Sequence, residues 1–330
     1  MKVLVVGGAG YIGSVAAELL IDKGHEVIVL DNLSRGHRGA IVEQATFIEG
    51  DMGNDADLDR AFAGKPEAVM HFAALSLVGE SVEQPAMYFR NNVTNGIRLL
   101  DKALAHGTKK FVFSSTAAVY GEPARCPIDE EFPLVPTNPY GDSKLAFEKI
   151  LKWYAGAYGL HYASLRYFNA AGATATHGED HSVETHLIPI LLDVARGRLP
   201  HATIFGDDYT TADGTCVRDY IHVSDLAEAH LLALATLDEM PVQIYNLGSE
   251  QGFSVKQVID AVRQVTGHPM PSVIGARRLG DPAALVASSA RIRKALGWTP
   301  SRTDLATIIG DAWRWHSSHP TGYEKVGAHV

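Results

Sequence analysis

Residues 2–13 read KVLVVGGAGYIG, and VAAELLI follows from position 15. An apolar strand, a turn with glycines at 7, 10 and 13, and an apolar helix are thus set down in order. Glycine lets the backbone turn tightly and approach a pyrophosphate, whose charge meets the free N–H groups at the start of the next helix. Glycine spacing alone is weak evidence; the context strengthens it. The next apolar run, VIVL at 27–30, ends in Asp31, 18 residues after Gly13. A carboxylate there can accept both adenosine ribose hydroxyls and repels a 2′-phosphate, which favours NAD over NADP. Arg35 and Arg38, in NLSRGHR, keep NADP open.

Working outward, AVMHF (68–72), KFVFS (110–114) and YASLRY (162–167) alternate with stretches of helical spacing. Short apolar strands separated by helices predict an α/β fold, a doubly wound parallel (Rossmann) sheet, over residues 1–172. Residues 173–330 are richer in Gly, Asp, Thr and His loops and read as a smaller α/β substrate domain, with helices near 186–196, 224–237, 254–266 and 301–316. QIYNLG (243–248) is apolar enough to return to the main sheet. A net charge of −9 disfavours nucleic acid and anionic membrane as partners. No run approaches the roughly 20 apolar residues of a membrane span, and VLVV is too short for a signal peptide, so a cytoplasmic location is expected. Cys126 and Cys216 lie far apart and predict neither a disulfide framework nor a zinc site.

The stretch VPTNPYGDSKLAFEK (135–149) places Tyr140 and Lys144 four residues apart, in what Pro139 marks as the first turn of a helix. A phenol titrates near pH 10. A nearby ammonium and a positively charged nicotinamide together would bring it toward neutrality, where it can serve as a base. FVFSST delivers Ser114, Ser115 and Thr116 to the carboxyl end of a strand, where open α/β sheets bind ligands.

GGAGYIG, DNLSRG, HFAALSLVGES, FSSTAAVYG, NPYGDSK, LRYFNAAGA, DGTCVRDYIHV and RRLGDPAALVASS occur in this order over nearly the whole chain. The chain resembles the nucleotide-sugar branch of the extended short-chain dehydrogenase/reductases, and within it the UDP-hexose 4-epimerases. The resemblance implies a tightly held NAD regenerated in each turnover. It puts Gly7, Gly10, Tyr11, Ile12 and Gly13 on the pyrophosphate and Asp31, Asn32 and Ser34 around the adenosine ribose, with Leu33 and Gly36 also among the cofactor-binding residues. Asp51 and Met52 would flank the adenine. Phe72, Ala73, Ala74 and Leu75 would line the nicotinamide side, with Asn91, Ser114 and Lys144 near the cofactor and Tyr167 and Phe168 closing the pocket. Thr116 and Tyr140 would face the sugar. Ser76, Asn169, His186, Leu187, Arg218, Arg278, Asp281 and Leu285 would surround the UDP-sugar, with the two arginines on the diphosphate. The implied catalytic set is Tyr140, Lys144 and Thr116. Tyr140 takes the 4-hydroxyl proton as hydride leaves C4 for NAD, the 4-keto sugar turns over, and hydride returns to its other face. A homodimer through helices near 85–105 and 141–157 is also implied.

Four departures from familiar family members stand out. Thr116 replaces a frequent serine, Ser76 a lysine of some relatives, His186 a frequent asparagine, and Leu285 a bulky tyrosine found in some glucose- and galactose-restricted members. A sugar-nucleotide 4,6-dehydratase would need an acid–base pair directly after Thr116, where Ala117 and Ala118 stand. 4-Epimerases of UDP-N-acetyl sugars or UDP-uronic acids remain alternatives, as does an NAD-sensing binding protein, although a sensor needs no poised phenol. HGEDH (177–181), with His186 nearby, has ligand-type residues, but such a loop reads as solvated, and no metal is expected.

Overall fold

A computed structural model describes residues 1–278 and 281–323. Its strands, in chain order, are β1 (Lys2–Val6), β2 (Glu26–Asp31), β3 (Thr46–Glu49), β4 (Ala68–His71), β5 (Lys110–Thr116), β6 (His161–Tyr167), β7 (Asn169–Ala171), β8 (Ala202–Phe205), β9 (Val217–His222), β10 (Val242–Leu247), β11 (Gly252–Ser254), β12 (Ser272–Gly275) and β13 (Ala284–Leu285). Seven form one parallel sheet in the order β10-β6-β5-β4-β1-β2-β3. Strand order reverses between β1 and β4, so the crevice for a ligand opens at their carboxyl ends.

Side chains alternate across this sheet, and both faces are apolar. Val3, Val5, Val27 and Val29 point to one side, where they join Leu226, Leu234 and Trp298. Leu4, Val6, Ile28 and Leu30 point to the other, against Leu58, Phe62, Leu99 and Phe147. Fully burying each such side chain is worth about 1.5–3 kcal/mol. The two layers fix the sheet between its helices and hold the strand ends in place.

Beyond residue 172, several segments lie with the large sheet. β10 pairs in parallel with β6, and Leu226, Leu234, Ile292 and Trp298 belong to the sheet's core. The rest gathers around β9, which carries β7, β11 and β13, and a two-stranded β8–β12 ribbon. Four helices beyond residue 172 run Leu187–Ala195, Val223–Ala235, Val255–Thr266 and Leu305–Ser318, close to the expected spans, and a fifth, Ala290–Leu296, was not expected. β3 was not predicted. It is a four-residue edge strand with half-exposed side chains, and TFIE offers neither a continuous apolar run nor a clean alternation.

Candidate active site

Gly7 has φ +85°, and a Cβ there would stand 2.5 Å from the Ala73 nitrogen; one on Gly13 would stand 2.1 Å from the Gly7 carbonyl oxygen. Only glycine therefore lets β1, the turn and the loop after β4 approach one another. Gly10 is the N-cap of helix Tyr11–Asp22, leaving the first-turn N–H groups directed into the crevice. A Cβ on Gly36 would likewise stand 2.8 Å from the Ala9 carbonyl. The geometry fits a dinucleotide pyrophosphate.

Asp31, at the end of β2, is nearly buried and accepts hydrogen bonds from the Ala9 nitrogen (2.9 Å) and the Leu33 nitrogen (2.9 Å). Burial raises its carboxyl above the usual range, and those two N–H groups oppose the rise. The bond to Leu33 accompanies a φ of +57° at that residue. Asn32 donates to Asp51 (2.6 Å) and accepts from the Ser34 nitrogen and hydroxyl. The expected ribose residues thus form one connected turn. Met52 is buried among Leu58, Leu99 and other apolar side chains. Arg35 is paired with Glu80 (2.7 Å) and Arg38 with Glu49, so both cations that kept NADP open are engaged by carboxylates.

Helix Pro139–Tyr158 starts cleanly: Asn138 accepts from the Gly141 nitrogen (2.9 Å) and Pro139 fills the first position. It ends at Gly159, whose φ of +67° suits a glycine C-cap. This aims Tyr140 and Lys144 at the end of β5. Lys144 is buried, donates to the Ser114 carbonyl (2.7 Å) and lies 4.8 Å from the Phe113 ring centre. Burial pushes its ammonium down to about 7, and the Glu148 carboxylate opposes. Burial raises the Tyr140 phenol, and the Thr116 hydroxyl hydrogen-bonded to it pulls the other way. Tyr167 is raised by burial and then by Tyr140, and its hydroxyl bonds Ser114.

Beneath these groups lies a buried network that the sequence did not disclose. Glu148, one helical turn from Lys144, accepts from Arg166 at 2.9 Å (Nε) and 2.6 Å (Nη2) and from the Ser115 hydroxyl at 2.5 Å. Arg166 also donates to Tyr120 (2.9 Å), which donates to Asn246 (2.7 Å). Asn92 was missed as well. Its side chain accepts from the Leu75 nitrogen (2.9 Å) and donates to the Leu75 carbonyl and to Ser143 (3.0 Å each), tying the nicotinamide-side loop to the catalytic helix. It sits in a π-helical turn, Arg90–Thr94, next to Asn91, which donates to it. The spacing of the i, i+4 pair could have pointed to Glu148; nothing local points to Asn92.

The expected nucleotide end is only partly assembled. Asn169, His186 and Leu187 line one small cavity with Tyr220 and Glu179. Arg218 donates to Asp281 (2.8 Å) and to the carbonyls of Val217 and Pro282, so two residues expected to face UDP face each other. Arg278 is exposed, its guanidinium 3.9 Å from the Phe205 ring centre. Leu285, beside Arg218 in the β13–β9 register, packs against the buried cluster that includes Phe168 and Ala117. Phe72 packs against His230 (4.9 Å between ring centres) and Ala73 donates to Val6 (3.0 Å), whereas Ser76 is exposed beyond them. Burial raises the Cys216 thiol, the opposite of what a nucleophile needs.

Residues 3–248 match the family described as NAD dependent epimerase/dehydratase. The chain is 55% identical over 327 residues to a UDP-glucose 4-epimerase of Halalkalibacterium halodurans, covering 98% of both. It is similar to a crystal structure of a UDP-glucose 4-epimerase with a TM-score of 0.96 and 52% identity, covering 98% of this chain and 100% of that one. The Brucella ovis UDP-glucose 4-epimerase, crystallised with NAD, matches with a TM-score of 0.92 and 48% identity, covering 94% of this chain and 97% of that one.

Proposed function

Since the chain belongs to the NAD dependent epimerase/dehydratase family, we propose that it interconverts UDP-glucose and UDP-galactose by transient oxidation at C4. The observation that carries this reading is the cluster at the end of β5: Thr116 beside Tyr140, Lys144 one turn along, and only Ala117 and Ala118 after Thr116. That cluster can move one proton and has no second acid or base for a dehydration. NAD, held by the loop at 7–13 and by Asp31, supplies the chemistry of accepting and returning a hydride. Tyr140 takes the proton of the sugar's 4-hydroxyl and gives it back after the 4-keto sugar has turned over. The Thr116 hydroxyl stabilises the phenolate and orients the reacting oxygen. The Lys144 ammonium adds positive charge at the Ser114 end of the strand. For the sugar to turn, it must be held loosely while UDP is held firmly, so binding energy belongs at the nucleotide end, with Asn169, His186, Leu187, Arg218 and Arg278.

The reading is tested by incubating the purified chain with UDP-galactose, UDP-glucose or UDP-N-acetylglucosamine without added cofactor and resolving the products. Conversion of the first two to an equilibrium mixture is expected; none, with or without added NAD, would refute it. Asp31→Ala should weaken NAD retention about ten- to hundredfold through lost ribose hydrogen bonds and relieve the discrimination against NADP. Equal retention of NAD and NADP by the unmodified chain would count against that role.

Substrate range is assigned to Leu285. An N-acetyl group adds heavy atoms at the sugar 2-position and must sweep round with the ring; leucine leaves space that a tyrosine would fill. We expect measurable UDP-N-acetylglucosamine conversion, abolished by Leu285→Tyr with the glucose–galactose reaction spared. An unchanged ratio of the two activities would remove Leu285 as the gate. We assign the chain to the cytoplasm. A homodimer through the helices near 85–105 and 141–157 completes the proposal: Trp153, 76% exposed on the second, is the apolar side chain such a contact would cover.

A further inference from the structure

The loop that reads as solvated in the sequence is folded back on itself. Glu179, His181, Glu184 and His186 each bring one ligand-type atom to within 4.8 Å of the others. His186 Nδ1 stands 2.7 Å from Glu179 Oε1 and 3.1 Å from Glu184 Oε1; His181 Nδ1 stands 3.4 Å from Glu179 Oε1 and 3.4 Å from Glu184 Oε2. Charge-assisted N–H···O bonds span about 2.7–2.9 Å, so the His181 separations are long for that purpose. They match a different figure: ligands 2.0–2.1 Å from a tetrahedral zinc centre stand about 3.4 Å apart, whereas His186 and Glu179, at 2.7 Å, form a charge-assisted pair that has to open for both to ligate. The Glu179 side chain is only 5% exposed, and that of Glu184 16%. Two carboxylates so close together, one of them almost fully buried, repel each other, and positive charge between them, carried by the two imidazoles or by a bound cation, offsets that repulsion.

We propose that Glu179, His181, Glu184 and His186 bind a divalent transition-metal cation, for which zinc has the matching four-coordinate geometry and N/O ligand preference. Two carboxylates and two neutral imidazoles leave the occupied site without net charge. Glu184 is already oriented for this: its Oε1 accepts from the Thr185 and His186 nitrogens (2.7 Å each), leaving Oε2 toward His181. With four protein ligands no position stays open for a reacting water, so the ion is structural. It pins the loop that leads into helix Leu187–Ala195, and binding through His186 Nδ1 leaves Nε2 for the neighbouring cavity. The absence of metal expected from the sequence rested on solvation, and the burial of Glu179 removes that reason.

The test is made on the full, untagged chain, stripped with chelator, loaded with equimolar Zn²⁺, desalted and analysed by plasma mass spectrometry. About one zinc per chain is expected, matching a closed four-ligand site, with a rise in melting temperature that EDTA reverses. The double variant His181→Ala, Glu184→Gln, checked for folding by circular dichroism and gel filtration, should retain less than about a tenth of that zinc. Unmodified chain that keeps less than about a tenth of an equivalent overturns the proposal whether or not the variant folds, as does a folded variant that keeps as much zinc as the parent.

Discussion

Tyr140→Phe should lower turnover by about 10²- to 10⁴-fold, the span typical of a lost general base, while UDP affinity stays nearly unchanged. The substitution removes one oxygen and keeps the ring, so the packing of the helix start, fixed by Asn138 and Pro139, is preserved. What disappears is the phenolic oxygen that Thr116 supports and that is proposed to take the sugar's 4-hydroxyl proton. Thr116 cannot substitute, because an alcohol lacking a nearby base is far too weak an acid to cycle a proton near neutrality. Turnover numbers and UDP titration by calorimetry, measured side by side, separate the two effects. A variant with near-normal turnover would sink the role given to Tyr140.

Glu148→Ala should destabilise the fold by about 3–5 kcal/mol, because it leaves the buried Arg166 guanidinium without its carboxylate. The pair is held by two well-formed contacts with both side chains almost completely buried, so solvent cannot take over. In a chain of this size that corresponds to a fall in melting temperature of about 4–7 °C. Adding Arg166→Met should restore most of the loss, since two apolar groups replace two buried charges. The same carboxylate opposes the downward push on Lys144, so the single variant should also leave less of that lysine charged at neutral pH. A melting temperature unchanged in Glu148→Ala, or a double variant no better than the single, would show that the pair is not what holds β5 and β6 to the catalytic helix.

Local chemistry was legible in the sequence, and long-range pairing was not. The glycines at 7, 10 and 13, Asp31 at the end of a strand, and Tyr140 with Lys144 on one helix face each declare themselves within about one element, because the turn, the strand end and the i, i+4 spacing are set by neighbours along the chain. Glu148 and Arg166 lie 18 residues apart and meet only when the catalytic helix packs on β6. Asn92 reaches Leu75 and Ser143 only once a π turn rotates it inward. Arg218 and Asp281 carry opposite charges 63 residues apart, and no periodicity predicts their pairing. The loop at 177–186 misled for a related reason: Gly, Asp and His composition signals solvent exposure, yet Glu179 is turned inward beside His186. RRLGDPAALVASS was read as carrying Arg278 and Asp281, and residues 279 and 280 within it lie outside the described residues.

The central claim, oxidation and re-reduction of one carbon with no net redox change, is tested most directly with UDP-galactose carrying deuterium at C4. Incubated with the chain in ordinary water, with no NAD added, it should give UDP-glucose that retains the deuterium at C4 in essentially every molecule, because the hydrogen leaves and returns as a hydride that never exchanges with solvent. Product in which the label has been replaced by solvent hydrogen, or no product from a chain shown to retain NAD, would contradict it.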